Sequence, residues 1–258
     1  MLVPYNSLGD FAREAQKHNP NRVMEDACNG VTFPQAIEKA ILGDDRLAAK
    51  ANKLLDQLNV DMPATKVWRK KRSPFGGSVN FGDWLAGSPE PMRRRVKTDV
   101  DTAPLKIVVG VSCSSGITAD QMERRGIVIL ALVLKLQEVR PLDLYLLTED
   151  QARNDDFLYH LIKLETNPLA LGTATFGLCS ATIERHLSYT IISAQQGRGP
   201  AWPADYGTPG YDQRRRDRLG LTPEDLVIRE AFLLDPLIHE PMEWLKDQLE
   251  KFTGAANQ

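Results

Sequence analysis

The residues best suited to chemistry in this chain lie in one short loop behind a run of apolar residues. The stretch LKIVVGVSCSSGITADQ, at 105–121, has the pattern of a buried strand, a hydroxyl-rich loop and a helix start. Ser112, Cys113, Ser114 and Ser115 supply hydroxyls and a thiol where a strand of an open α/β sheet would end. Binding sites in such sheets lie at the carboxyl ends of the strands. Loops of this kind bind metal ions, hold phosphate groups or carry a nucleophile.

A serine hydrolase is one interpretation of this loop. The residues around Ser112 approach the G-x-S-x-G pattern, in which a nucleophilic serine lies between a strand and a helix. His186 or His239 would act as the base, and Asp235 would orient it. The final glycine is a serine here, however, and the helix begins only near Thr118, six residues after Ser112. We therefore keep Ser112 as a nucleophile only as an alternative.

The elements that position this loop are indicated by the pattern that follows it. Thr118-Ala-Asp-Gln121 has the form of a capping box, so a helix should begin there. Apolar runs at 142–148, 157–165 and 225–234 predict further strands, and 173–196 and 240–252 predict helices. Strands that alternate with helices predict an α/β fold with an open, mainly parallel sheet and helices on both faces.

Three regions are predicted along the chain. Residues 1–64 form an N-terminal helical region with a helix start near Ser7 and another near Pro34. Residues 65–104 are rich in Gly and Pro, and we expect an irregular extension whose aromatic side chains pack on the main domain. Residues 105–253 form the α/β domain itself.

The segment LKIVVGVSCSSG and the strands after it resemble a von Willebrand factor A-type domain. That family begins with a buried strand ending in D-x-S-x-S, followed by a long helix. The resemblance is closer to a group of uncharacterised bacteriophage proteins with such a domain, and it covers roughly residues 75–253. The shared motifs are Gly87-Ser-Pro89-Glu-Pro-Met92, Arg125-Gly126 through Ala131-Leu132, and Tyr206-Gly207.

The resemblance implies a metal-ion-dependent adhesion site that is degenerate here. In the family, D-x-S-x-S and a later Thr and Asp bind Mg²⁺ or Mn²⁺. The motif falls on Gly110-x-Ser112-x-Ser114, so its carboxylate is missing, and Thr173 or Thr175 corresponds to the later Thr. Hydroxyls alone hold Mg²⁺ poorly. We expect no cofactor; Ser112 and Ser114 would be metal ligands only in a working site.

These observations favour a non-enzymatic protein-interaction module of bacteriophage origin. The partner-binding loops would contain five hydroxyl residues: Ser112, Ser114, Ser115, Thr173 and Thr175. The excursion at 201–211 would lie beside them. By analogy with the family, the resemblance implies an AAA+ ATPase or another phage protein as the partner.

Nucleic-acid binding is the other alternative. Two clusters of cations precede the first strand of the α/β domain, and Trp68 and Trp84 lie near them. The candidate contacts are Arg69, Lys70, Lys71, Arg72, Arg93, Arg94 and Arg95. The net charge of −2 gives the chain no global attraction to a polyanion, so any such binding must come from clustering.

Cysteine usage and hydropathy bear on localisation. The three cysteines are widely spaced and form no C-x-x-C pair, which fits a reducing compartment. The longest apolar run, 127–134, is much shorter than the roughly 20 residues of a spanning helix. We expect a cytoplasmic protein without membrane contact, in the host cytoplasm if it is viral.

Overall fold

The computed structural model describes residues 2–18, 20, 28–44, 46–50, 53, 66–99, 104–114, 116–138, 140–151, 157–166, 169–195 and 215–254. Its strands are β1 (Leu2–Tyr5), β2 (Lys66–Ser73), β3 (Ser78–Val79), β4 (Met92–Asp99), β5 (Leu105–Gly110), β6 (Leu142–Gln151), β7 (Phe157–Leu164) and β8 (Leu226–Ile228). Its helices are α1 (Leu8–Gln16), α2 (Phe33–Leu42), α3 (Phe81–Leu85), α4 (Ala119–Gln137), α5 (Leu171–Cys179), α6 (Tyr189–Gln195), α7 (Arg215–Arg218), α8 (Pro236–His239) and α9 (Pro241–Gly254). A π-helix, Ile183–Ser188, precedes α6.

A five-stranded sheet in the order β1-β7-β6-β5-β8 forms the centre of the α/β fold. The pairs β1–β7, β5–β6 and β5–β8 are parallel, and β6–β7 is antiparallel. β5 is an inner strand, as its continuous apolar sequence predicts. The predicted α/β class is confirmed, with a mixed, mostly parallel sheet flanked by helices.

The described helices pack mainly on one face of this sheet, whereas helices on both faces were expected. The large core cluster joins β5 and β6 to α1, α2, α4, α5 and α9. The other face carries a smaller cluster of Val108, Leu147 and Tyr159, with Leu219 and Leu221 packed against it. Among the described helices, α7 contributes Arg218, whose guanidinium lies 5.8 Å from the centre of the Tyr159 ring.

The N-terminal segment is part of the same core, not a separate helical region. β1 is the edge strand beside β7, and Leu8, Phe11 and Ile37 are buried in the main cluster. The predicted helix starts are confirmed: the Ser7 hydroxyl caps α1, and Thr32 and Gln35 form a capping box at α2. The four-residue strand β1 was missed because the sequence pattern LVPY is too short to separate from a loop.

Residues 66–99 are regular, where an irregular extension was predicted. β2, β4 and β3 form an antiparallel sheet in that order. The aromatic side chains expected to pack inward are exposed, with Phe75 at 79%, Phe81 at 71% and Trp84 at 59%. These three aromatic side chains therefore do not pack into the core.

The long helix after β5 was predicted correctly. Thr118 and Gln121 form the capping box in both directions, and α4 runs from Ala119 to Gln137. Gly126 allows α4 to approach α5, because a β-carbon there would collide with the backbone of Leu178 and Cys179. The helix predicted at 173–196 is instead divided among α5, the π-helix and α6, and β8 is shorter than the predicted strand at 225–234. In the described residues, no helix is long and apolar enough to cross a membrane.

Candidate functional site

The loop after β5 continues the pairing of the strand instead of projecting into solvent. The amide of Val111 donates to Leu147 O at 2.9 Å. On the other side, Ala231 N donates to Ser112 O and Ser114 N donates to Ala231 O, each at 3.0 Å. The loop is therefore fixed between the middle of β6 and the segment after β8.

The hydroxyl and thiol of this loop face the interior. Ser112 and Cys113 are buried, and Ser114 is half-buried. Ser115 lies outside the described residues. Burial raises the pKa of the Cys113 thiol, with a further contribution from Glu184, so the thiol stays protonated and unreactive. Ser112 and Cys113 are therefore buried residues, not a displayed reactive pair.

Glu184, in the π-helix, is the carboxylate that meets the loop. Its Oε2 accepts a hydrogen bond from Cys113 N at 2.8 Å, and the residue is buried. Desolvation raises the pKa of Glu184 to about 7, although the Cys113 amide, the Ser112 hydroxyl and Arg185 all favour the ionised form. This carboxyl group is thus placed to change charge near neutral pH.

Arg185 ties the same π-helix to the far side of the loop. Its Nη2 donates to Ile117 O at 2.8 Å and lies 3.3 Å from Cys113 Sγ. The helix and the loop are therefore joined by adjacent side chains of opposite charge. π-helical turns are rare in proteins and are frequent at functional sites.

The space above Gly110, where the family pattern has an aspartate, is filled by another carboxylate. A β-carbon at position 110 would lie 2.8 Å from Glu230 N and 2.8 Å from Glu230 Oε1. The glycine is therefore required by the close approach of Glu230. The segment after β8 therefore brings a carboxylate to the end of β5.

The positive charge near the Glu230 carboxylate comes from the side chain of Arg125. Arg125 is fully buried and donates through Nη2 to Gly110 O at 3.2 Å and to Arg229 O. Burial lowers the pKa of Arg125, and the charges of Asp235 and Glu230 oppose this effect. Arg125 thus places a guanidinium between the ends of β5 and β8.

These residues do not fit a divalent ion. The guanidinium of Arg125 would repel it, and Ser112 is buried against Glu184. In the part of the chain that is described, no group of three or more His, Cys, Asp or Glu side chains is arranged to hold a metal.

Thr173 and Thr175 do not join the loop, contrary to the sequence-based grouping. Both lie inside α5, where their hydroxyls donate to Ala170 O and Leu171 O at 3.0 and 2.6 Å. β7 runs antiparallel to β6, so the chain enters α5 from the amino end of β6, where Thr166 Oγ1 donates to Leu142 O. The predicted helix at 173–196 began two residues later than α5, which placed Thr173 and Thr175 next to a loop instead of inside the helix.

The histidines of the hydrolase alternative are engaged elsewhere. His186 Nε2 is 2.8 Å from Val31 O, and His239 Nε2 is hydrogen-bonded to Leu233 O. Asp235 accepts from Leu237 N at 2.9 Å as the N-cap of α8. No described histidine is hydrogen-bonded to Ser112 Oγ. The triad geometry is therefore not present.

A surface missed by sequence reasoning lies next to the loop. Phe232, Leu233 and Leu234 are 40%, 53% and 90% exposed, and we call these three residues the apolar tip. Phe232 O accepts from Asp235 N at 3.0 Å, and a β-carbon on Gly116 would lie 3.1 Å from the Leu233 side chain. Residues 231–234 were assigned to the strand predicted at 225–234, although Asp235-Pro236 is an N-cap and first-turn pair that marks a loop before it.

A cleft of about 400 Å³ lies beside the apolar tip. It is lined by the residues of β8, by Phe232 and Leu234, and by Trp244 of α9. In the sheet described here, β8 has a strand neighbour on one side only, which is β5. The exposed tip adjoins this cleft, whose lining also contains Arg229, Glu230, Asp235 and Gln248.

The two basic clusters, far apart in sequence, are adjacent in the structure. In the β2–β4 ladder, Lys70 pairs with Arg95, Lys71 with Arg94 and Arg72 with Arg93. The fourth residue of the first cluster, Arg69, lies opposite Val96. The sequence-based candidates for nucleic-acid contact thus occupy one ribbon. The Ala201–Tyr211 excursion and Tyr206-Gly207 lie outside the described residues.

Comparison with known proteins places the chain in a family without supplying an activity. A search of curated proteins gave no match. The chain belongs to the family described as Domain of unknown function (DUF7192), whose family model matches residues 1–254.

Proposed function

We propose that this protein is a non-enzymatic protein-interaction module that binds its partner through the apolar tip, without a metal ion. The exposure of three consecutive large apolar residues, at the end of the sheet where α/β folds bind, carries the proposal. Exposed apolar patches of this kind mark interaction sites. The adjoining cleft would receive an apolar side chain of the partner.

The fixed backbone of the apolar tip supports this role. Ala231, just before the tip, is paired with the β5 loop through Ser112 and Ser114, and Asp235 begins α8 directly after it. A surface held in this way loses little conformational entropy when it binds. The von Willebrand A-like resemblance also supports it, because such domains bind protein partners with the loops at this end of the sheet.

The partner follows from the same resemblance. We propose a phage protein, with an AAA+ ATPase as the first to test, and recognition by apolar contact in place of a bridging metal. The buried Arg125 beside Glu230 supports a metal-free site, since the local carboxylate already has a cation near it.

Co-purification with a tagged copy from its native setting, with and without EDTA and nuclease, tests this function. The wild type should retain a protein partner under both treatments, and Leu234→Asp should lose it. Leu42→Asp is the matched control, because Leu42 is 73% exposed at the end of α2. Equal recovery with both variants, or loss of the partner with EDTA, would contradict the proposal.

A further inference from the structure

Charge is strongly segregated along this chain, although the whole is nearly neutral. The segment 66–99 contains nine Lys and Arg residues against three Asp and Glu, which is a net charge of +6. Since the entire chain carries −2, the remaining residues carry −8. A basic unit within an otherwise acidic protein has a local potential that attracts polyanions.

The register of the β2–β4 ribbon divides its residues between two faces. Residues two apart on a strand, and residues directly opposite each other, share a face. One face, which we call the cationic face, contains Lys66, Trp68, Lys70, Arg72, Arg93, Arg95, Lys97 and Asp99. The other contains Val67, Arg69, Lys71, Ser73, Met92, Arg94, Val96 and Thr98. Six of the nine cations in this segment therefore share a face with a tryptophan, whereas the apolar residues Val67, Val96 and Met92 share the other.

Like charges directly opposite each other work against the pairing of the strands. Lys70–Arg95 and Arg72–Arg93 are such pairs, and Trp68–Lys97 continues the row. Opposed cations destabilise an antiparallel ladder, and a bound polyanion would relieve this repulsion. Arg72 has an acidic neighbour, since its Nη2 lies 3.2 Å from Asp83 Oδ1.

Exposed aromatic rings accompany the cations. Arg72 and Asp83 bring α3 to one end of the cationic face, and α3 carries Trp84 and Phe81 with more than half of each exposed. Aromatic rings interleaved with cations are the combination that binds single strands, because every base can stack on a ring while the cations follow the phosphates.

We propose that the cationic face of the β2–β4 ribbon, with Trp84 at its end, binds single-stranded nucleic acid. This surface is separate from the apolar tip and does not depend on the function proposed for it. The ligand is recognised by backbone charge and base stacking, so little sequence preference is expected.

Fluorescence anisotropy with labelled single-stranded DNA and RNA of about 20 nucleotides tests this on the full chain. The wild type should bind with a dissociation constant below about 100 µM at physiological salt, the range of non-specific binding, and more tightly at lower salt. Equal affinity for the DNA and the RNA would indicate recognition of the backbone charge. Tighter binding of the RNA would indicate an additional contact to the 2′-hydroxyl.

Two triple variants in the same ribbon make the test specific to one face. Lys70→Gln, Arg95→Gln and Lys97→Gln remove three charges from the cationic face. Arg69→Gln, Lys71→Gln and Arg94→Gln remove three from the other. Because both triples remove cations from the ladder, neither should unfold it, and circular dichroism checks this.

The first triple should weaken binding about 10-fold or more at low salt. It should also make the slope of log K against log [salt] shallower by about 2, because each of the three lost phosphate contacts contributes about 0.7. The second should have a much smaller effect. Trp84→Ala should weaken binding about 10-fold without changing the slope, because stacking is not a charge interaction.

Three results would overturn the proposal. The first is that neither the DNA nor the RNA binds at low salt. The second is that the two triple variants lose the same affinity. The third is that polyglutamate of matched charge binds as tightly as the nucleic acids. The last result would assign the cationic face to an acidic protein surface instead.

Discussion

The carboxylate of Glu230 lies where a side chain on Gly110 would have to go. A β-carbon at position 110 would come within 2.8 Å of both Glu230 Oε1 and Glu230 N. The metal-binding aspartate of the related pattern therefore cannot simply be restored here. The carboxylate at this position comes from the segment after β8, and the guanidinium of Arg125 lies close enough to feel its charge.

Gly110→Ala should destabilise the protein by about 1–3 kcal/mol, the typical cost of overpacking a closed site. Part of the clash is with backbone, so adding Glu230→Ala should restore only part of the loss. Urea denaturation of the two variants measures this. Wild-type stability in Gly110→Ala would show that the approach of Glu230 is not close.

Gly110→Asp should not create a Mg²⁺ site. The new carboxylate would meet Glu230 and the guanidinium of Arg125 instead of an ion, because Arg125 already places a positive charge at this position. Isothermal titration with MgCl₂ checks this, and a saturable heat in the folded variant would be inconsistent with it.

Arg125→Met should destabilise the protein by about 1–3 kcal/mol, since it leaves the buried Glu230 carboxylate with less compensating positive charge. It also removes the donor to Gly110 O and Arg229 O. Arg124→Met is the control one position away, where the side chain is exposed, and should change the stability by less than about 0.5 kcal/mol. Similar losses in the two variants, by thermal unfolding, would refute the role given to Arg125.

The raised pKa of Glu184 gives stability a pH dependence of predictable sign. Its carboxyl has a pKa of about 7 in the folded protein against an ordinary value of 4.5. The folded state therefore binds more protons between these values, and the contribution of Glu184 to stability is lost as pH rises through about 7. Glu184→Gln should flatten this decline and be more stable than the wild type at pH above 7. Parallel pH profiles of the two proteins would show that Glu184 titrates normally.

Ser112 should not react with a fluorophosphonate probe in the folded protein. Its side chain is buried, and no described histidine is hydrogen-bonded to it. Mass spectrometry of the treated protein checks this, with Ser112→Ala as the blank. Labelling of Ser112 would favour the hydrolase alternative over the interaction module.

Local signals in the sequence were sufficient for the elements nearest the candidate site. The apolar run at β5 and the Thr118–Gln121 capping box predicted the strand, the loop and the start of α4. Both features depend on residues close in sequence, so no tertiary information was needed.

The contacts that define the site come from distant parts of the chain and have no local signal. Glu230 meets Gly110 and Glu184 meets Cys113 only because β8 and the π-helix pack there. The β2–β4 ribbon was missed because Lys and Arg are not strong strand formers and because Gly and Pro surround the turn. The alternation of cations along each strand was nevertheless present in the sequence.

Photo-crosslinking from the apolar tip tests the proposed function most directly. A benzophenone amino acid replaces Leu234 in one protein and Leu42, the exposed leucine at the end of α2, in another. With the co-purified partner and EDTA present, a crosslink from position 234 and none from position 42 is predicted. Crosslinks from both positions alike, or from position 42 alone, would contradict binding through the tip.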